Sequence, residues 1–371
     1  MDTGNIKKLN KFHVVFLSQN VIIGIGLFTL SNEISMVGYN QWLVPIMLGV
    51  LANITLIPIV LLCKKFPDDS LFKINEKILG KLLGKMANGI LFLYGLMGAA
   101  IIIRGYSRIV QSVVLPGFQV LPITVSLFFV MSCIVAGGIK SVARFCIFSF
   151  FITGWMVVFL QWPLQAGNWL HAVPTFEVSY TDWFQALHQG ALSMFGYGLL
   201  LFYYPYIQNQ KKVFLHTSIG IWLAVSFYLI VSIAAVIYFS PWQLDNLLFP
   251  VLNLFQSIKL TFVERIENFG TTLWVFLILS TSSAYLWVAK KGMDALTNKH
   301  KDRPWHIFAV AILAWLLISG PIPTGVQVII FDEWSVYYGY GLLLYPIFLL
   351  CINFIKRKMT KREPKEQEVS T

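Results

Sequence analysis

The chain has 371 residues, 57% of them hydrophobic and 12% charged, with a formal net charge of +11. Its mean hydropathy is +0.70. Soluble domains carry about 25% charged residues, so a chain this apolar cannot cover itself with polar surface and takes lipid as its solvent. That excludes a soluble enzyme, a nucleic-acid binder and a disordered protein together. The four cysteines, Cys63, Cys133, Cys146 and Cys351, are scattered through apolar runs without CxxC spacing. They read as packing, with no metal site and no disulfide framework.

A membrane-spanning helix needs about 20 apolar residues. Ten segments meet that requirement, near 12–33, 40–63, 86–106, 121–138, 143–164, 184–206, 213–239, 268–289, 305–320 and 336–355. The first follows Lys7, Lys8 and Lys11 as a signal peptide would, but Ser18, Gln19 and Asn20 interrupt it and no small-residue cleavage site follows. It is read as a retained helix. Ten spans put both termini on one side, and 24 of the 28 Lys and Arg residues fall on that side. The exceptions are Arg104, Arg108, Lys259 and Arg265. The positive-inside rule then places both termini in the cytoplasm.

Two apolar stretches are read as not spanning. Residues 70–84 alternate Leu, Phe and Ile with Lys at helical spacing, the pattern of an interfacial helix. Residues 242–266, with Pro250 and the charged cluster Lys259, Glu264 and Arg265, read as an outer helical connection, and Glu264, Arg265 and Glu267 before span eight read as an ion cluster that holds structure. The tail 356–371 is charged and matches no lipidation motif.

The informative features are glycines at membrane depth. Span one contains Gly24-Ile25-Gly26 and span six Phe195-Gly196-Tyr197-Gly198. Glycine costs a helix interior about 1 kcal/mol relative to alanine. Close helix packing is one account of it. The other is a pair of interrupted helices, because spans one and six correspond if the chain is two repeats of five. A broken helix leaves N–H groups for a carboxylate and C=O groups for a cation or ammonium. In span eight, Thr281 and Tyr285 lie four residues apart and share a face. They can present two hydroxyls to a ligand, or Thr281 can bond back to its own helix. Arg104 and Arg108 near the end of span three read as snorkelling, with an internal ion pair as the alternative. Glu33, at the outer end of span one, reads as solvated. No Ser/His/Asp set, no paired carboxylates within a span and no P-loop is present. No enzymatic reading survives, and no cofactor is expected.

The run Gly24-Ile25-Gly26-Leu27-Phe28-Thr29-Leu30, and Leu254-Phe255-Gln256-Ser257 followed by Phe262-Val263-Glu264-Arg265-Ile266-Glu267-Asn268-Phe269, make the chain resemble a family. It resembles the B subunits of GerA-type spore germinant receptors, in the GerAB/ArcD/ProY branch of the amino acid–polyamine–organocation superfamily. The resemblance covers roughly residues 10–355. Where the family usually carries a proline after the Thr-Leu of the first motif, this sequence has Ser31.

The resemblance implies an all-α integral membrane protein of ten transmembrane helices. Its fold would be LeuT-like, a 5+5 inverted repeat with helices 1 and 6 interrupted. The chain would be one transmembrane domain, 1–371, with repeats at 12–164 and 184–355 and a cytoplasmic tail at 356–371. It further implies residence in the spore inner membrane, A and C subunits as partners, and a small nutrient, commonly an amino acid, as ligand. By position in the fold, the pocket should be lined by Gly24, Ile25 and Gly26, Ala100, Phe195 and Gly196, and Thr281 and Tyr285. A germinant sensor is the reading taken. An ion-coupled amino-acid transporter using the same pocket is the alternative, and a conduit for water or ions a third.

Overall fold

A computed structural model describes residues 8–117, 119–175, 177–258, 265–297, 302–320 and 322–360. The first span is α1 (Lys11–Ile23) and α2 (Gly26–Glu33), bent by 50° where they meet. A 3-10 stretch, Ser35–Trp42, leads into the second, α3 (Leu43–Lys65). Short α4 (Leu71–Leu79) precedes α5 (Lys81–Ile109), the third, and α6 (Val120–Ala136) is the fourth. In the fifth, α7 (Ile139–Thr153) runs through a 3-10 segment into α8 (Gln161–Ala166). The sixth is α9 (Tyr180–Gly190), a 3-10 stretch Ala191–Leu199, and α10 (Leu200–Tyr203). The seventh, α11 (Val213–Tyr238), is followed by the connecting helices α12 (Pro241–Asn246) and α13 (Pro250–Gln256). α14 (Ile266–Thr297) and α15 (His306–Ser319) are the eighth and ninth. In the tenth, α16 (Thr324–Val328) passes through a π-turn into α17 (Ser335–Thr360).

Six of these segments are continuous helices long and apolar enough to cross a bilayer, and the bent α1–α2 pair is a seventh. α6 and α15 are shorter apolar helices, and the sixth span is interrupted. The ten segments fall where the sequence predicts them. The bundle exposes apolar side chains at its periphery and holds a set of polar residues within an otherwise apolar core. Ser18, Gln19, Asn20 and Ser280 to Ser283 are buried, while Ile54, Ile90, Phe129 and Phe151 are exposed at its periphery. The three polar residues that argued against a cleaved leader therefore face other helices. Ser18 Oγ lies 3.0 Å from the Tyr203 hydroxyl, and Asn20 Nδ2 donates to Gln19 Oε1 and to the carbonyls of Phe16 and Cys146.

α1 starts where it does because Asn10 and His13 form a reciprocal cap, Asn10 Oδ1 accepting from the His13 amide and His13 Nδ1 from the Asn10 amide. Just before it, the Leu9 amide donates to the Tyr206 carbonyl at 2.7 Å and the Gln208 amide to the Leu9 carbonyl at 2.9 Å. The main chain entering the first span is thus bonded to the main chain leaving the sixth.

Several sequence expectations change here. α4 exists, but its apolar residues Leu71, Phe72, Ile74 and Ile78 are buried. Asn75 donates to Asn88 of α5 and accepts from Tyr345 of α17, so α4 docks on the bundle, with its apolar face turned to protein. Arg104 does not snorkel. Its side chain is 6% exposed and pairs with Asp332 at 2.8 Å, with Phe331 beneath the guanidinium. Arg108 reaches the same carboxylate at 3.6 Å. At the Lys-rich end, Lys290, Asp294 and His306 form a buried cluster tying α14 to the start of α15. Glu264 and residues 361–371 of the tail lie outside the described residues.

The ion pair at the start of α14 is a narrower device than a buried pair. Arg265 Nε lies 2.9 Å from Glu267 Oε1, but the arginine side chain is 60% exposed. Such pairs contribute about 0–1 kcal/mol. Buried Glu267 also stands in the first turn of α14, where the helix dipole favours a carboxylate. Arg265→Ala is therefore expected to lower the unfolding midpoint of the purified chain only slightly, by less than Glu267→Ala does. Equal losses would show that the arginine carries more than an exposed pair can.

Candidate functional site

The two glycine motifs break their helices differently. Gly24 adopts φ +32° and ψ −129°, a left-handed backbone that excludes most side chains, and α1 ends there. The sixth span instead tightens into the nine-residue 3-10 stretch Ala191–Leu199. Gly196 brings it against α1 so closely that a Cβ there would lie 1.9 Å from the Val21 carbonyl oxygen.

A cavity of about 110 Å³ lies at this crossing. Gly24, Ile25, Gly26, Phe195, Gly196, Thr281 and Tyr285 line it, seven of the eight residues predicted. Ala100 does not. It is fully buried, and the wall contributed by α5 is Tyr94, Met97, Gly98, Ile101 and Ile102. Those positions recur at helical spacing on one stripe, which Ala100 does not share. The tenth span, which the prediction omitted, supplies Ser335, Tyr338 and Gly339. A signal was available: Gly339-Tyr340-Gly341 repeats the Gly-Tyr-Gly of the sixth span. A Cβ on Gly339 would meet the Phe195 ring at 1.9 Å.

The carbonyls freed by the break are already engaged. The Tyr228 hydroxyl of α11 lies 3.1 and 3.2 Å from the carbonyl oxygens of Ile22 and Ile23, and 3.1 Å from that of Ser193. It bridges both interruptions. Trp274 Nε1 donates to the Gly24 carbonyl at 3.1 Å, and its ring packs on Phe28. Sequence reasoning missed both residues, and the only hint for Trp274 is its place seven residues before Thr281 on the same helical face. The amide side is different. α2 has no side-chain cap at Ile25; the Phe28 amide donates to the Ile25 carbonyl at 3.0 Å, which leaves Gly26 and Leu27 as the first-turn amides without a helical acceptor of their own. Electrostatically this wall favours an anion.

Thr281 Oγ donates towards the carbonyls of Asn20 and Leu277, at 2.8 and 2.9 Å. Its proton is therefore committed to main chain, and one of the two acceptors is across the break. Tyr285 lies flat on Gly98, where a Cβ would come within 2.2 Å of its ring, and its hydroxyl interacts with that of Tyr94. Ser280 donates to Asn20 Oδ1 at 2.9 Å. Thr281→Val is expected to cost about 0.5–1.5 kcal/mol of stability, read as a lower unfolding midpoint. Tyr285→Phe should leave the midpoint nearly unchanged while weakening stabilisation by added amino acid severalfold. The reverse pattern would put the ligand contact on Thr281.

Glu33, predicted to be solvated, also lines the cavity, and its Oε2 is buried without a hydrogen-bond partner. A wider basin of about 1010 Å³ opens at the Lys-rich end, lined by Lys8, Lys73, Lys211 and Lys291 together with Asp68 and Asp294. It is polar and open and contains none of the predicted site residues.

The fold is that of solved LeuT-type transporters. The chain matches the structure of MhsT in complex with L-phenylalanine with a TM-score of 0.64 at 16% identity, over 95% of this chain and 99% of that one. It matches Mhp1, a nucleobase-cation-symport-1 family transporter in a closed conformation with bromovinylhydantoin bound, with a TM-score of 0.62 at 12% identity, over 90% and 81%. A family model described as "Spore germination protein" matches residues 8–322, and the chain belongs to that family. Among its relatives, spore germination protein GerQB of Bacillus cereus is 24% identical over 335 residues, covering 90% of this chain and 92% of the relative. Spore germination protein A2 of Bacillus subtilis (strain 168) is 23% identical over 367 residues, covering 96% and 98%. The chain is a multi-pass membrane protein of the spore germination family with a LeuT-type fold.

Proposed function

We propose that this chain is the nutrient-sensing transmembrane subunit of a spore germination receptor, holding a small amino acid at the break in its first span. The observation that carries the reading is the cavity itself, where both glycine motifs and the span-eight hydroxyl face converge on the uncapped start of α2. Its volume of about 110 Å³ is below the ~150 Å³ of an apolar cavity that admits benzene, which favours a small side chain over an aromatic one. The ligand's carboxylate meets the start of α2. Binding shifts a conformational equilibrium that A and C subunits read, with no obligatory transport. The lysine distribution supports cytoplasmic termini, and the family supports the spore inner membrane. The two interruptions support a division into five-helix repeats at 12–164 and 184–355.

A carrier coupled to sodium would turn span-eight hydroxyls and span-one carbonyls to the ion. Here Ser280 and Thr281 are hydrogen-bonded directly to Asn20, which favours the sensor. The test is thermal unfolding of the purified full chain with a panel of small L-amino acids, set against uptake of the same labelled compounds into proteoliposomes. Stabilisation without uptake is the expected result. Uptake driven by an ion gradient would establish the carrier, and neither response would overturn the cavity as a ligand site.

A further inference from the structure

We infer that Glu33 is the group that recognises the ligand's ammonium and so restricts this cavity to amines. The inference rests on the amino-acid reading above and adds a specificity residue to it. Glu33 is the only charged side chain among the residues lining the cavity. Its Oε2 is buried and has no hydrogen-bond partner, and a buried carboxylate oxygen left unpaired is costly unless something completes it. The carbonyls near the break have donors of the protein's own beside them: the single Tyr228 hydroxyl proton is shared among those of Ile22, Ile23 and Ser193, and Trp274 donates to that of Gly24.

The placement suits an α-amino acid. Side chains on a helix lean towards its N-terminus, and Thr29, one turn earlier on α2, lines the same cavity as Glu33. The carboxylate thus stands about one turn, roughly 5 Å, from the first amides of the helix. A carboxylate and an ammonium on one carbon bridge that separation with a hydrogen bond at each end. One short helix offers its amides to the anion and its last side chain to the cation, so the ligand lies along α2 beside the sixth span.

The experiment uses the full chain in nanodiscs. Wild type is first unfolded with glycine, L-alanine, L-serine and L-valine, and the strongest stabiliser is carried forward with its 2-hydroxy-acid analogue, in which a hydroxyl replaces the ammonium. Wild type should prefer the amino acid strongly. Glu33→Gln should bind it about ten- to a hundredfold more weakly, the range of a charge-assisted hydrogen bond, and lose most of the preference, with Glu33→Asp intermediate. In case the variants fail to fold, wild-type chain is treated with dicyclohexylcarbodiimide and Glu33 followed by mass spectrometry. The amino acid should protect it and the hydroxy acid should not. Binding by Glu33→Gln within twofold of wild type, or full labelling of Glu33 at saturating amino acid, overturns the assignment while leaving the cavity reading intact. No stabilisation of wild type by any of the four overturns both.

Discussion

Gly196→Ala is expected to be among the most damaging single-methyl additions to this molecule. The new Cβ would lie 1.9 Å from the Val21 carbonyl oxygen and 2.4 Å from its carbon. Main chain cannot rotate aside as a side chain can, so α1 and the sixth span must separate. Overpacking of this kind costs about 1–3 kcal/mol or more, and here the strain falls on the cavity wall. The variant should accumulate poorly, unfold at a lower temperature and lose amino-acid stabilisation. Gly26→Val makes a useful companion. Its Cβ would meet Ser193 Oγ at 2.3 Å, Ser193 Cβ at 2.7 Å and the Tyr228 hydroxyl at 2.9 Å, so it should fill the cavity and also push aside the hydroxyl that joins the two interruptions. A Gly196→Ala chain with wild-type midpoint and ligand response would show that the two spans are not in contact.

Tyr228→Phe is expected to produce the largest effect of any near-isosteric change. It deletes one hydroxyl, the donor whose single proton is shared among the carbonyls of Ile22, Ile23 and Ser193 in a bundle interior where water offers no substitute. Leaving buried acceptors unmet costs about 1–3 kcal/mol. The variant should unfold at a clearly lower temperature, and its amides around residues 22–26 and 193 should exchange faster than in wild type. Accelerated exchange at only one of these segments would mean that the hydroxyl does not couple the two interruptions.

How much of this was legible in the sequence depends on which force does the placing. Spans and their order follow from apolar length, which is local. The break at Gly24 follows from glycine's cost in a helix, also local. Ala100 was misplaced because a stripe on α5 is fixed by its rotation against neighbours, and no single residue on that helix announces it. Glu33 was read from its position at a helix end. The residues that face it come from other spans, far away along the chain. Tyr228 stood in an apolar run beside Phe227, where an aromatic reads as packing. Its three acceptors are distant in sequence, and two of them exist only because α1 stops.

The joint between Leu9 and the chain leaving the sixth span is made of amides and carbonyls alone. Any residue except proline brings the same donor and acceptor to it. Side-chain scanning would therefore pass over the place where the two interrupted spans are fastened together. Such a fastening does not depend on identity of side chains, so it places no demand on the residue types at these positions beyond the exclusion of proline. It also fixes a pivot. With one end of both spans stitched, a disturbance at the cavity swings their opposite ends, and the movement is lateral.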